Sequence, residues 1–271
     1  MTGAECKQAL REGKTICGTL IVSPSPKWTK YIGKCGLDFV FIDTEHVGLD
    51  LYTLSNMCAN YSAHGLAPVV RIPSPDPYEA CRALDAGAHG ILAPYIESPE
   101  QVRRLVGAVH YKPLKGKLLD EVLAGRAALP EAVERQLAGA NRNHLLLVNI
   151  ESRAGMEALD DILAVPGLDG IVIGPNDLSY SLGRPNDYDS PEFNAAVVEI
   201  LRRARAKGIA AGIHYMGSID RQIEWAAQTG MNLLFHSGDM HLFVEAARRD
   251  LLKFRRSLGQ GGDDVPVNIE I

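Results

Sequence analysis

A chain of 271 residues that is 46% hydrophobic and 23% charged has the balance of an ordinary soluble globular protein, which excludes disordered and fibrous classes. Its net charge of −5 and pI near 5.9 lack the basic footprint of a nucleic-acid binder, so neither nucleic acid nor an anionic membrane is expected as a partner. The first ten residues mix acids and bases without a long apolar core, and no run approaches membrane-spanning length, so a cytoplasmic protein is expected.

In chain order, apolar runs fall at 15–22, 39–45, 67–73, 90–95, 144–151, 170–175, 210–216 and 232–238. Helical patterns lie between them. The segment 76–86 opens with an acidic first turn; 99–110 follows Ser98 as its N-cap with Pro99 in the first helical position; 191–207 stops before Gly208. This alternation predicts a parallel sheet with crossover helices, and eight strands apolar on both faces predict an α/β fold of the (β/α)₈ TIM-barrel type. No Gly-x-Gly-x-x-Gly fingerprint marks an open doubly wound sheet. The barrel is expected to occupy 1–258 as a single domain, with 259–271 as a loose tail. Residues 111–142 exceed a plain loop, predict partly helical structure and are expected to carry specificity elements. Five cysteines, an odd number without Cys-x-x-Cys spacing, read as reduced and mostly buried thiols.

In such a barrel, catalytic residues come from the C-terminal ends of strands. The second run ends in Ile42-Asp-Thr-Glu-His46, the third in Arg71, the fifth in Glu151, and just past the sixth lies Asp177 within Gly174-Pro-Asn-Asp177. Glu151 and Asp177 would close adjacent strands about 4.8 Å apart, near enough to share a cation; two carboxylates with waters suit Mg²⁺ or Mn²⁺. The plain alternative for each acid is a helix cap. His46 is either a polar rim residue or a proton carrier. Asp85, in Leu84-Asp-Ala-Gly-Ala88, is either a solvated helix-end acid or the carboxylate that orients His46. Arg71 is either a structural ion-pair partner or an oxyanion clamp. His214 and His236 are expected to line the pocket at most.

Together, Phe39-Val-Phe-Ile-Asp-Thr-Glu-His46, Val69-Val-Arg-Ile-Pro73, Leu84-Asp-Ala-Gly-Ala88, Asn149-Ile-Glu151 and Ile173-Gly-Pro-Asn-Asp-Leu-Ser179 resemble the HpcH/HpaI family of class II pyruvate aldolases, over roughly residues 14 to 240. The resemblance implies a TIM barrel and reversible cleavage of a 4-hydroxy-2-oxo acid to pyruvate and an aldehyde. By it, Glu151 and Asp177 would hold a divalent metal, Mg²⁺ or Mn²⁺ with Co²⁺ as a further option, that acts as Lewis acid for the enolate. Gly174, Pro175, Asn176 and Asp177 would bind the substrate carboxylate at a helix N-terminus. Arg71 would steady oxyanion charge, and His46, oriented by Asp85, would move the hydroxyl proton. It also implies a homo-oligomer, a hexamer built from dimers, in which the amphipathic 240–258 segment crosses to a neighbour.

None of the ten lysines ends a predicted strand, which favours metal over Schiff-base chemistry. The chain departs from the family at Asn149 and Asn176 and across 111–119, where the choice of aldehyde is expected to reside. Two other readings keep the barrel: a citrate-synthase-like condensation or oxaloacetate decarboxylation on the same enolate site, and a non-catalytic metabolite-binding oligomer.

Overall fold

A computed structural model describes residues 1–260; of the expected tail only Gly259 and Gln260 fall within the described residues. Eight strands, β1 (Ile16–Ile21), β2 (Phe39–Asp43), β3 (Ala67–Arg71), β4 (Gly90–Ala93), β5 (Leu145–Ile150), β6 (Gly170–Ile173), β7 (Ala210–Tyr215) and β8 (Leu233–Gly238), close in sequential order into a parallel barrel. Each predicted strand is present. Helix α1 (Gly3–Arg11) precedes the barrel, and α2 (Pro26–Ile32), α3 (Leu51–Ala63), α4 (Pro77–Asp85) and α5 (Pro99–His110) follow the first four strands. The excess segment forms α6 (Gly116–Leu123) and α7 (Glu131–Ala140). Then come α8 (Arg153–Glu157), α9 (Leu159–Leu163), α10 (Pro175–Ser181), α11 (Pro191–Ala206), α12 (Ile219–Thr229) and α13 (Asp239–Ser257).

Side chains alternate along each strand, so every strand feeds two cores. Leu20, Phe39, Phe41, Val69, Leu92, Leu147, Val172, Leu233 and Phe235 fill the barrel interior. Val40, Ile42, Val70, Ile91, Leu146, Val148, Ile171 and Ile213 face the helices. Burying each large apolar side chain contributes ~1.5–3 kcal/mol relative to exposure, which makes these two layers the main source of stability. Three inward aromatics interlock, Phe39 and Phe41 lying edge-on to Phe235 with centroids 4.8 and 5.4 Å away. They leave no room opposite. A Cβ on Gly18 would stand 2.3 Å from the Phe39 ring, so only glycine lets that aromatic layer close.

Local signals work as the sequence predicts at several helix starts. Ser98 and Gln101 form a reciprocal capping box ahead of Pro99, and the Asp76 carboxylate accepts the Tyr78 N–H at 2.8 Å to open α4. The thiols are all free, but Cys35 is exposed, Cys17 and Cys81 are half-buried, and only Cys6 and Cys58 are fully buried. No described helix is long and apolar enough to cross a membrane.

Because each crossover helix runs antiparallel to its strands, helix C-termini gather at the foot of the barrel and strand C-termini at the mouth. The excess segment therefore sits at the foot. Asn141 donates from Nδ2 to the carbonyls of His110 and Lys112, and Leu119 and Leu123 lie against Gly107 of α5. Within this chain, α5 thus carries residues 111–119, where the choice of aldehyde was expected to reside, away from its own mouth.

Candidate active site

Inward parity brings polar side chains to the mouth at the ends of the same strands that carry the interior core. In β2 the series Phe39, Phe41 ends in Asp43, and in β3 the series Ala67, Val69 ends in Arg71; the sheet register sets Asp43 opposite Arg71. Their side chains meet in a bidentate pair, Nε to Oδ1 at 2.8 Å and Nη2 to Oδ2 at 2.6 Å. Arg71 also reaches the Glu45 carboxylate at 3.1 Å and lies over the Phe41 ring, 5.5 Å from its centroid. Burial pushes the Asp43 carboxyl up, but the Arg71 hydrogen bonds and charge more than offset it and hold it below the usual range. Burial wins at Glu45. Its carboxyl is raised despite Arg71 and His46. No described partner claims the Nη1 side of the guanidinium, which keeps donors for the mouth.

His46 stands at the rim, 46% exposed, with Nε2 3.7 Å from Glu45. Asp85 is not beside it. That residue ends α4 at the foot, is itself exposed, and pairs with Lys112 of the excess segment. The expected Asp85–His46 support is therefore absent within this chain, since a residue at a helix C-terminus and one at a strand C-terminus occupy opposite ends of the barrel. The acid that faces His46 is Glu45.

Across the mouth, β5 places Asn149 inward and Glu151 one step beyond its end. Glu151 is 4% exposed and held on both oxygens by neutral donors: the Tyr95 backbone N–H at 2.7 Å to Oε1 and Asn149 Nδ2 at 3.0 Å to Oε2. Burial, aided by the nearby charges of Asp177 and Glu45, raises its carboxyl to about 7 in spite of the Tyr95 N–H and Arg71. Gly174 explains how β6 approaches so closely, because a Cβ there would lie 2.2 Å from Glu151 Oε2. Asp177 occupies the first turn of α10. It is not the cap. Gly174 holds that place without a side-chain hydrogen bond, and Ser152, not Glu151, caps α8 by accepting the Gly155 N–H at 3.1 Å. Pro175 has no N–H to offer a ligand, whereas Asn176 is exposed at the same helix start.

The donor set fits a divalent cation. Glu151 and Asp177 are two acids within mutual electrostatic reach, and each Glu151 oxygen keeps a lone pair beyond its single hydrogen bond. Asn149 Oδ1 is buried with no partner among the described residues, an orphan acceptor beside the same carboxylate. No group of three or more His, Cys, Asp or Glu side chains gathers among the described residues, so two protein carboxylates would leave the remaining positions to water and substrate. Mg²⁺ and Mn²⁺ sites accept that arrangement.

The lining includes residues that sequence reasoning did not assign. Asp43 and Glu45 belonged to the acidic stretch but gained roles only as anchors of Arg71; their signal was the shared parity of Asp43 with Phe39 and Phe41. Tyr95, after β4, adopts a left-handed backbone with φ 53, a conformation that costs ~1–3 kcal/mol outside glycine. Burial and the charges of Glu45, Asp177 and Glu151 push its phenol up to about 12. His214 is packed against Phe41, with its Nε2 3.0 Å from the Ser237 carbonyl, and burial pushes it down to about 4. His236 is bound to Gln222 at 2.7 Å. Both imidazoles are tied up in packing.

The pattern of the family described as HpcH/HpaI aldolase/citrate lyase matches residues 18–238. The chain belongs to that family. It is 36% identical to a hydroxypyruvate/pyruvate aldolase of Roseovarius nubinhibens over 92% of this chain and 96% of the relative. It is 33% identical to a 2-keto-3-deoxy-L-rhamnonate aldolase of Klebsiella pneumoniae over 94% of each chain. A solved HpcH/HpaI aldolase/citrate lyase family protein of Burkholderia cenocepacia superposes with a TM-score of 0.79 at 27% identity, covering 93% of this chain and 99% of that one. This HpcH/HpaI family member is an enzyme, an aldolase of the carbon–carbon lyase class, built on a TIM barrel.

Proposed function

We propose that this aldolase cleaves a 4-hydroxy-2-oxo acid reversibly to pyruvate and an aldehyde, with a divalent metal, Mg²⁺ or Mn²⁺, held by Glu151 and Asp177. The observation that carries the reading is the pairing of those two acids at the mouth, Glu151 raised to about 7 by burial and by Asp177 while Gly174 keeps room for its carboxylate. The relatives named for hydroxypyruvate/pyruvate and 2-keto-3-deoxy-L-rhamnonate support the class of substrate. When bound, the cation supplies Lewis-acid stabilisation of negative charge on the 2-oxo oxygen.

The chain's own residues do the rest. Asn149 and the Tyr95 N–H orient Glu151. Arg71, locked by Asp43 and Glu45, turns its Nη1 donors to the oxyanion, and a preformed donor loses no ordering energy as charge develops. His46, exposed at the rim beside Glu45, takes the C4 hydroxyl proton in cleavage and returns it in condensation. The Asn176 and Asp177 N–H groups at the start of α10 bind the substrate carboxylate.

The exposed apolar side chains of α13, among them Phe243 and Phe254 at 63% each, support a homo-oligomer in which this helix is covered by another copy. The functional test is pyruvate release from a 4-hydroxy-2-oxo acid with Mg²⁺ or Mn²⁺ and with excess chelator. Turnover should vanish on chelation and return on adding metal; chelator-insensitive turnover overturns the mechanism.

A further inference from the structure

We propose that Tyr95 selects the acceptor aldehyde, its phenol oxygen accepting a hydrogen bond from a hydroxyl on the carbon next to the carbonyl, so that hydroxylated aldehydes are preferred to apolar ones. This assignment rests on the aldol reading above and concerns the half of the substrate that is not pyruvate.

Tyr95 runs against stability twice. The residue is 47% exposed, so its packing gain is small, and its φ of 53 is a conformation that suits glycine or asparagine far better. An aromatic residue kept where neither packing nor backbone favours it points to a task for the side chain. The backbone states where that side chain stands: the Tyr95 N–H binds Glu151 Oε1 at 2.7 Å, so the residue is anchored to the proposed metal carboxylate. Its phenol lies within electrostatic reach of Glu45, Asp177 and Glu151.

A neutral phenol among carboxylates turns its one proton toward them, and its oxygen is left as an acceptor. Pyruvate has no hydroxyl or N–H to give such an acceptor. A 2-hydroxyaldehyde does. Pyruvate would occupy the floor formed by Glu151, Asp177 and Arg71, so an exposed group at the rim above Glu151 meets the second reactant instead.

The test uses the full chain with Mg²⁺ or Mn²⁺ and compares pyruvate condensation with glycolaldehyde and with propanal. In Tyr95→Phe, kcat/KM for glycolaldehyde should fall about tenfold, chiefly through KM, while propanal changes by no more than about twofold, as loss of one hydrogen bond requires. Tyr95→Gly suits the backbone and keeps the N–H to Glu151; it should lose the same preference, which separates the phenol from any repacking of the ring. Equal changes for both aldehydes in Tyr95→Phe, or an unaltered preference in both variants, overturn the assignment. Deuterium exchange at the pyruvate methyl group of the wild-type enzyme separates the two levels. Its absence overturns the aldol reading and this assignment with it, whereas exchange with unchanged aldehyde preference overturns the assignment alone.

Discussion

The two ends of the barrel each bury an acid, and they treat it in opposite ways. At the foot, Asp169 accepts the Lys7 ammonium at 3.1 Å and the Leu146 N–H at 3.0 Å, with His110 3.5 Å away. Burial raises its carboxyl, yet those partners bring it below the usual range. At the mouth, Glu151 is buried as deeply but held by neutral donors, and its carboxyl is raised to about 7. The foot also holds a cavity of about 650 Å³ lined by Lys7, Tyr111, Leu137 and Asp169 among others. Charge answered by charge is what a structural network looks like, whereas an acid left beside another acid is what the proposed cation site requires.

Replacing each acid should separate the two ends. Glu151→Gln keeps the shape of the side chain and removes the negative charge; we expect a loss of about a thousandfold in kcat/KM with the fold intact. The same variant should lose the rise in Tm that Mg²⁺ or Mn²⁺ gives the wild-type enzyme, measured by thermal shift with metal and with chelator. A metal-dependent shift of wild-type size in Glu151→Gln would place the cation elsewhere.

Asp169→Asn should do the reverse. It leaves the Lys7 ammonium without its anion in a mostly buried place, which costs about 2–3 kcal/mol and lowers Tm by roughly 5 °C or more. Steady-state assays should find kcat/KM within about threefold of wild type, since the foot lies a barrel's length from the chemistry. A large loss of activity with unchanged stability would contradict the division drawn here.

The smallest effect concerns pH. His214 is held neutral in the fold, pushed down to about 4 from an unfolded value of 6.5, so the unfolded chain takes up this proton first as pH falls. The stability tied to the neutral ring is complete above about 6.5 and is lost progressively as pH drops toward 4. His89, His144 and His236 are lowered by burial too and add to the same slope. Melting curves between these limits should therefore show Tm falling with acidity, less steeply in His214→Asn.

Much of this molecule was legible before its coordinates. Continuous apolar runs such as Phe39-Val-Phe-Ile42 state burial on both faces, and capping signals such as Ser98-Pro99 state where helices start. Asp43 opposite Arg71 was legible in principle, because both share inward parity with the core residues of their strands. Glu45 was harder. It follows the strand end, where alternation no longer decides direction, and only the fold shows it binding Arg71 and facing His46. Asp85 lies apart from His46 within this chain because sequence proximity to a strand says nothing of which end of the barrel a helix terminus reaches until the antiparallel run of that helix is followed.

By itself the sequence determined the local terms: which segments are strands, which faces are apolar, and that polar residues stand at the strand ends. These follow from hydrophobic periodicity and backbone preference, which act over a few residues. Only the tertiary structure decided that Glu151 comes within electrostatic reach of Asp177 with Gly174 making way, that a left-handed Tyr95 offers its N–H to that carboxylate, and that Asp85 answers Lys112 at the other end. Such meetings depend on closure of the barrel and on burial away from water, neither of which any short stretch of chain contains.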